Sequence, residues 1–442
     1  MERYSEYKDS EVSWLGVIPK TWDIYRIKNL LLFHQSGAWG EDACDEYGDR
    51  VCIRVADFNF EQLAVNSDEY TIRNYMPSQI GKLQLQVGDI LIEKSGGGEK
   101  SPVGRVVLFD KDFSALYANF IEAIRPNKIV VNRFLGYIFA SAYHNGVNRK
   151  YFNQTTGIQN LNIASYICEK VGIPSFAEQT IITDYLDHMT GEINRLIIYL
   201  QSQVTMLDRY KRELINDAIT HGIDKNISLK DSGVDWIGNV PPHWKIIPLR
   251  AFLKVVSVKN NPKLPLLSVE REKGVVDRET EGSDSNYNHI PDDLSNYKVV
   301  NPGQFVINKM KAWRGSYGVS PYNGIVSPAY YVFNLNFPNP DFFNYAIRSG
   351  KYIGFFGRDS YGIRTDQWDF KIEKIKNIPF AVPPVSEQQA IVKYLNKKIP
   401  VIESSIDNIN NQIEKLKQYR QIVIHDAVTG KVKVKEINKN GN

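Results

Sequence analysis

The sequence predicts an α+β chain built twice: two mixed α/β regions, each followed by a long helix, with the helices pairing antiparallel as a coiled coil under pseudo-two-fold duplication. Three observations carry this. Val171–Ile223 matches Phe380–Val432 at an offset of 209 without gaps, with 15 of 53 positions identical. Two copies make a duplicated unit and not a solenoid. A second pair, Lys8–Leu31 and Lys230–Leu253, matches at an offset of 222 with 10 of 24 identical. The regions between these pairs are unlike one another, so one scaffold carries two different inserts.

The leader comes first in each half. Trp14/Trp236 and Trp22/Trp244 flank Gly16/Gly238 and Pro19/Pro241. Two tryptophans around a turn read as a packed clasp. Each insert then shows a turn and a buried strand, Gly88–Lys94 and Gly303–Lys309. Short helices are expected over Asn132–Tyr143 and Asp341–Arg348. Polar loops, Thr155–Gln159 and Ser360–Arg364, close the inserts. The offset falls from 222 to 209, so the first insert is 222 − 209 = 13 residues longer.

The repeated helices begin after Pro174 and Pro383, where a fixed φ is tolerated. Ser386 is placed to cap the second; the first has Ala177 there and leaves Ser175 for the role. Breaks are expected at Thr190-Gly191 and Ile399-Pro400. Beyond them apolar residues recur in steps of 4 and 3: Ile193, Ile197, Leu200, Val204 and Leu207, then Ile402, Ile406, Ile409, Ile413 and Leu416. That 3.5-residue period is a coiled-coil seam. Lys211 and Arg420 interrupt it at matching positions. The domains expected are 1–171 (leader and first insert), 172–222 (first helical region), 223–380 (leader repeat and second insert), 381–431 (second helical region) and a tail, 432–442.

Composition narrows the function. A chain of 442 residues should hold two to four domains, and 43% hydrophobic content supplies their cores. A net charge of +4 confines any nucleic-acid surface to local patches. Cys44, Cys52 and Cys168 form no CxxC pair, which fits a reducing, cytoplasmic setting. The start does not read as a signal peptide, and no apolar run suits a membrane span.

Taken together, the W-[LI]-G-x-[IV]-P-x-x-W leaders, the P-x-x-x-E-Q helix starts and the D-A-[IV]-T helix ends resemble the specificity subunits of type I restriction-modification systems. The resemblance covers nearly the whole chain. His221-Gly222 departs from the pattern, where the second copy has Gly430-Lys431. The resemblance implies that each insert is a target recognition domain reading one half of a split site in double-stranded DNA. It implies that the helices form a spacer and dock two modification (methyltransferase) subunits, and that restriction subunits with translocase and nuclease activity join them. S-adenosylmethionine, ATP and Mg are then expected in partner subunits, with no cofactor and no metal in this one.

The candidate chemistry agrees with a non-catalytic role. Ser95–Ser101 is glycine-rich but lacks the G-x-x-x-x-G-K-[ST] spacing. Asn339-Pro340-Asp341-Phe342 resembles an amino-methyltransferase box with an acidic third residue, and reads as a turn. The seven histidines show no metal or triad pattern. Base reading needs Arg, Lys, Asn or Gln on loops, with aromatics beside them. The candidates are Lys94, Lys100, Arg105, Arg149, Lys150, Gln154 and Gln159, then Lys309, Lys311, Arg314, Arg358, Tyr361, Arg364 and Gln367. Two other readings compete: a coiled-coil scaffold that binds only protein, and a self-contained DNA methyltransferase.

Overall fold

The computed structural model describes residues 2–45, 47–99, 101–155, 158–271, 273–278, 290–358 and 371–436. Among the described residues no helix is long and apolar enough to cross a membrane. Contacts divide the chain into two units, Met1–Gln201 with Asn410–Asn442, and Ser202–Ile409.

The first unit is built on a six-stranded sheet in the order Leu31–Ser36, Ile121–Pro126, Ile90–Glu93, Val106–Leu108, Ala64–Val65, Phe58–Asn59. Ile90–Glu93, the strand expected from sequence, is buried along its whole length. Side chains alternate across a strand, and here the alternation serves two cores. Ile90, Ile92 and Ile124 pack with the helix Asn132–His144 through Phe134 and Ile138. Leu91, Val107 and Ala123 face a second core with Cys52, Leu116 and Tyr117.

The second unit repeats the device with other residues. Its four-stranded sheet runs Leu253–Val256, Tyr330–Leu335, Phe305–Asn308, Tyr317–Val319. Phe305 and Ile307 join the core that holds the helix Pro340–Ile347, and Val306 joins another with Leu267 and Val326.

The long helices correct two expectations. Phe176–His221 is one helix of 46 residues and Val385–Val428 one of 44, with Pro400 inside it. Neither breaks at Thr190-Gly191 or Ile399-Pro400. Gly and Pro cost about 1 and 3 kcal/mol in a helix, and packing on both sides outweighs that. Ile399 and Ile402 are buried around Pro400, while Thr190 Oγ1 donates to the Leu186 carbonyl at 2.7 Å and Ile193 is buried just beyond. Ser386 lies within the helix, whose first amides, Glu387 and Gln388, bond the Pro384 carbonyl instead. Ser175 Oγ does accept from the Glu178 amide, at 3.3 Å.

The seam residues are all turned inward. Ile193, Ile197, Leu200, Ile402 and Ile413 are buried, and Val204, Leu207, Ile406, Ile409 and Leu416 half-buried. Within the first unit Trp22 meets Glu178 and borders Gly430, while farther along Asn194 meets Arg420. Within the second, Trp244 meets Glu387 and borders Gly222, while Glu403 meets Lys211. In each unit the two helix segments therefore run antiparallel. The Lys211–Glu403 and Arg420–Asn194 contacts are one contact in duplicate, since 420 − 211 = 403 − 194 = 209.

Candidate nucleic-acid interface

The repeated motifs fix each insert to its helix. Trp22, fully buried, donates Nε1–H to Glu178 Oε1 at 3.2 Å, and Trp244 donates to Glu387 Oε2 at 3.0 Å. The buried Gln179 and Gln388 donate Nε2–H to the carbonyls of Pro174 (3.0 Å) and Pro383 (2.8 Å). The spacing of P-x-x-x-E-Q thus ties the leader tryptophan and the preceding proline to a single helical turn, which makes the tryptophans structural. A third tie joins each insert's short helix to the long one. Tyr137 donates to Asp187 at 2.6 Å and Tyr345 to Asn396 at 2.7 Å; the long-helix partners are again 396 − 187 = 209 apart, the tyrosines 345 − 137 = 208.

Against this frame the candidate residues separate. In the first insert Gly88, at φ +92°, turns the chain into Ile90–Glu93, and Lys94 follows. Lys94 Nζ lies 3.5 Å from Glu122 Oε2 and also bonds Ser36 Oγ. Arg105 is held bidentate by Glu93, at 2.8 and 3.0 Å, with its guanidinium 4.0 Å from the centre of the Phe60 ring. To read a base it would have to leave a nearly buried carboxylate unpaired, a costly exchange. Arg149 and Lys150 stand exposed on the turn Val147–Tyr151, Lys150 at 3.4 Å from Glu169. Gln159 is buried in a three-stranded sheet, paired across from Gln154. Lys100 lies outside the described residues.

Ser95–Gly97 forms a strand of that sheet. A Cβ on Gly97 would sit 2.6 Å from the Val103 amide, so the glycines permit a tight strand-to-loop passage. Among the described residues the segment leads into the strand Val106–Leu108 and not into a helix that could offer its N-terminus to a phosphate, which counts against the nucleotide-loop reading.

In the second insert Gly303, at φ +84°, precedes Phe305–Asn308, and Lys309 follows as Lys94 does. Lys311 and Arg314 are exposed around the turn Ala312–Arg314, with the Arg314 guanidinium 4.3 Å from the Trp313 ring centre. Burial, with the Lys259 and Lys309 charges adding to it, pushes the Lys298 ammonium below its usual value. Lys298 Nζ itself is taken up by the Tyr330 carbonyl, at 2.5 Å. Arg358 ends the helix Gly350–Arg358. Tyr361, Arg364 and Gln367 lie outside the described residues. Asn339 caps the helix Pro340–Ile347, its Oδ1 accepting from the Asp341 and Phe342 amides at 3.1 Å each. The methyltransferase-like tetrapeptide is thus a helix cap.

Sequence reasoning passed over His34, Ser36, Phe120 and Glu122. The one available signal was Glu122, a lone acid inside the apolar strand Ile121–Pro126. Among the described residues no group of three His, Cys, Asp or Glu side chains could hold a metal.

Comparison with known proteins is consistent throughout. A putative type I restriction enzyme MjaX specificity subunit of Methanocaldococcus jannaschii is 21% identical over 446 residues, covering 97% of each chain. The type I restriction enzyme StySPI specificity subunit of Salmonella potsdam is 21% identical over 368 residues, 81% of this chain and 78% of its own. A solved chain from a study of complex assembly and conformational transition of the type I R-M system shares the fold, with a TM-score of 0.65 at 13% identity over 94% of this chain and 99% of that one. The profile described as "Type I restriction modification DNA specificity domain" matches twice, over residues 19–203 and 243–417. With two such domains spanning most of its length, the chain belongs to the type I restriction-modification DNA specificity family.

Proposed function

We propose that this chain reads a bipartite DNA site, residues 1–171 one half and residues 223–380 the other, while the helical regions 172–222 and 381–431 set the gap between them. The carrying observation is the placement of two unlike inserts on one repeated set of ties: Trp to Glu, Gln to Pro carbonyl, Tyr to the long helix. Lys94, Arg149 and Lys150 in the first insert, and Lys309, Lys311 and Arg314 in the second, are the proposed contacts. The chain is the recognition component and not the catalytic one. In this reading the long helices form an antiparallel coiled-coil spacer under a pseudo-two-fold. They dock two methyltransferase subunits that bring S-adenosylmethionine, and restriction subunits bring ATP and Mg.

The deciding experiment exchanges Leu249–Phe380 for a relative's insert and maps methylated sites made by the assembled complex. One half-site should change and the other stay. Change in both would refute the assignment of one insert to one half. The spacer has its own test. One heptad added at matching points near Val204 and Ile413 lengthens the rod by about 10 Å at ~1.5 Å per residue. The gap should grow by roughly 3 base pairs at ~3.4 Å each, with both half-site sequences kept. Full binding at the old gap would exclude the ruler.

A further inference from the structure

At one corner of the six-stranded sheet, register gathers a group of side chains onto one face. Ser36 and Ile92 both pair with Glu122, and His34 pairs with Ile124 two residues along. Alternation places these on the same side. The Lys94 amide donates to the Phe120 carbonyl at 2.9 Å, which brings Lys94 and the exposed Phe120 ring to the same corner.

Glu122 organises the group. It is 5% exposed, and three donors converge on its carboxylate: His34 Nδ1 at 2.7 Å, Ser36 Oγ at 2.6 Å and Lys94 Nζ at 3.5 Å. An ionised carboxylate only accepts, so the His34 proton sits on Nδ1. In the neutral ring Nε2 is then an acceptor, carried on a side chain that is 38% exposed. Glu122 also offsets the Lys94 charge, so the corner exerts little net pull on phosphates. Its contribution is directional: one fixed acceptor beside one fixed ammonium donor.

We propose that His34 is a specificity-determining residue of the first half, that its Nε2 accepts from the exocyclic amino group of an adenine or cytosine, and that Glu122 is the positioning residue that sets its tautomer. In the major groove those amino groups are the donors a protein acceptor can read. The inference rests on the reading that the first insert contacts duplex DNA. It is confined to that insert, because the corresponding strands of the second, Leu253–Val256 and Tyr330–Leu335, hold neither a histidine nor a carboxylate.

The test uses the full chain assembled with its methyltransferase subunits and duplexes randomised in both half-sites, at one fixed salt concentration. His34→Ala should lose roughly tenfold or more discrimination at one base pair of the first half-site, with the second half-site and the hydrogen-exchange protection of the first unit unchanged. Glu122→Gln, nearly isosteric, keeps the test open if the alanine variant fails to assemble. Its amide can donate to Nδ1 and move the ring proton to Nε2, so preference at that same base pair should swing from adenine or cytosine toward guanine or thymine. A merely structural carboxylate would not cause that swing. Unchanged base preferences in His34→Ala, or a loss shared by both half-sites, would overturn the proposal, as would unchanged preference in Glu122→Gln. A wild-type complex with no base preference would instead refute the underlying DNA reading.

Discussion

Gln179 and Gln388 hold the same place in the duplicated motif, and both are 1% exposed. In the first half Gln179 donates to the Pro174 and Ile129 carbonyls and accepts from the Val131 amide at 2.8 Å. In the second half Gln388 donates to Pro383, and its Oε1 is buried without a partner among the described residues. The reason lies in the insert. From the Asn that bonds the edge-strand region to the residue before the short helix is 131 − 127 = 4 steps in one half and 339 − 336 = 3 in the other. The shorter segment also carries Pro338, and the helix after it opens on Pro340, 209 positions after Val131; neither proline has an N–H. The bond to the proline carbonyl is therefore common to both halves, and the stitch to the insert is private to the first. A duplicated scaffold keeps a side chain even where one of its two inserts has stopped answering it.

The largest expected effect tests what the halves share. Trp22→Ala and Trp244→Ala should each cost about 3–5 kcal/mol, read by hydrogen exchange in the unit concerned, because a two-unit chain has no single unfolding transition. A large cost in one half with none in the other would break the equivalence of the clasps. Next, Gln179→Ala should cost more than Gln388→Ala by about 1–3 kcal/mol, since it strands the half-buried Val131 amide and two carbonyls. Equal costs would show that the Ile129–Val131 stitch contributes nothing. Smaller again, Lys211→Ala should cost at most about 1 kcal/mol, because Lys211 and Glu403 are both partly exposed. Arg420→Ala should exceed it, as its side chain is only 12% exposed and also lies 3.7 Å from Glu61.

The smallest effect concerns acid. Burial lowers the His425 and His144 pKa values, with Asp426 partly opposing it at His425 and Arg420 reinforcing it at His144. Both belong to the first unit. A histidine depressed in the folded state binds its proton more readily when unfolded. Its stabilisation is present above the unfolded value of about 6.5 and is lost as pH falls below it toward the folded value. The matching residue in the second half is Asn216, since 425 − 209 = 216. His425→Asn should flatten the first unit's stability between pH 6.5 and mildly acidic conditions, measured by exchange across a pH series. An unchanged slope would place the acid sensitivity elsewhere.

The duplication, the seam and the buried strands were legible because they rest on spacing, which survives any docking of the parts. Helix continuity was not. Gly191 and Pro400 are local signals, and burial of Ile193, Ile399 and Ile402 overrode them. The candidate interface was legible only as a proposal. Lys94 and Lys309 follow matching strands, as the repeat predicted, but the commitment of Arg105 to Glu93 and the burial of Gln159 depend on partners far off in sequence. The His34–Glu122 pair is 88 residues apart and shows itself only through strand register.

The first unit draws part of its core from Val423, Ile424, Ala427 and Val428. The 409 − 202 + 1 = 208 residues of the second unit lie between these and the rest of the first. On the ribosome, then, the part synthesised first is completed last. Its sheet can form early, but its helical flank stays open until the final helix emerges, whereas the second unit is made in one uninterrupted stretch. A premature stop just before Asn410 would spare the later-made domain and cripple the earlier one.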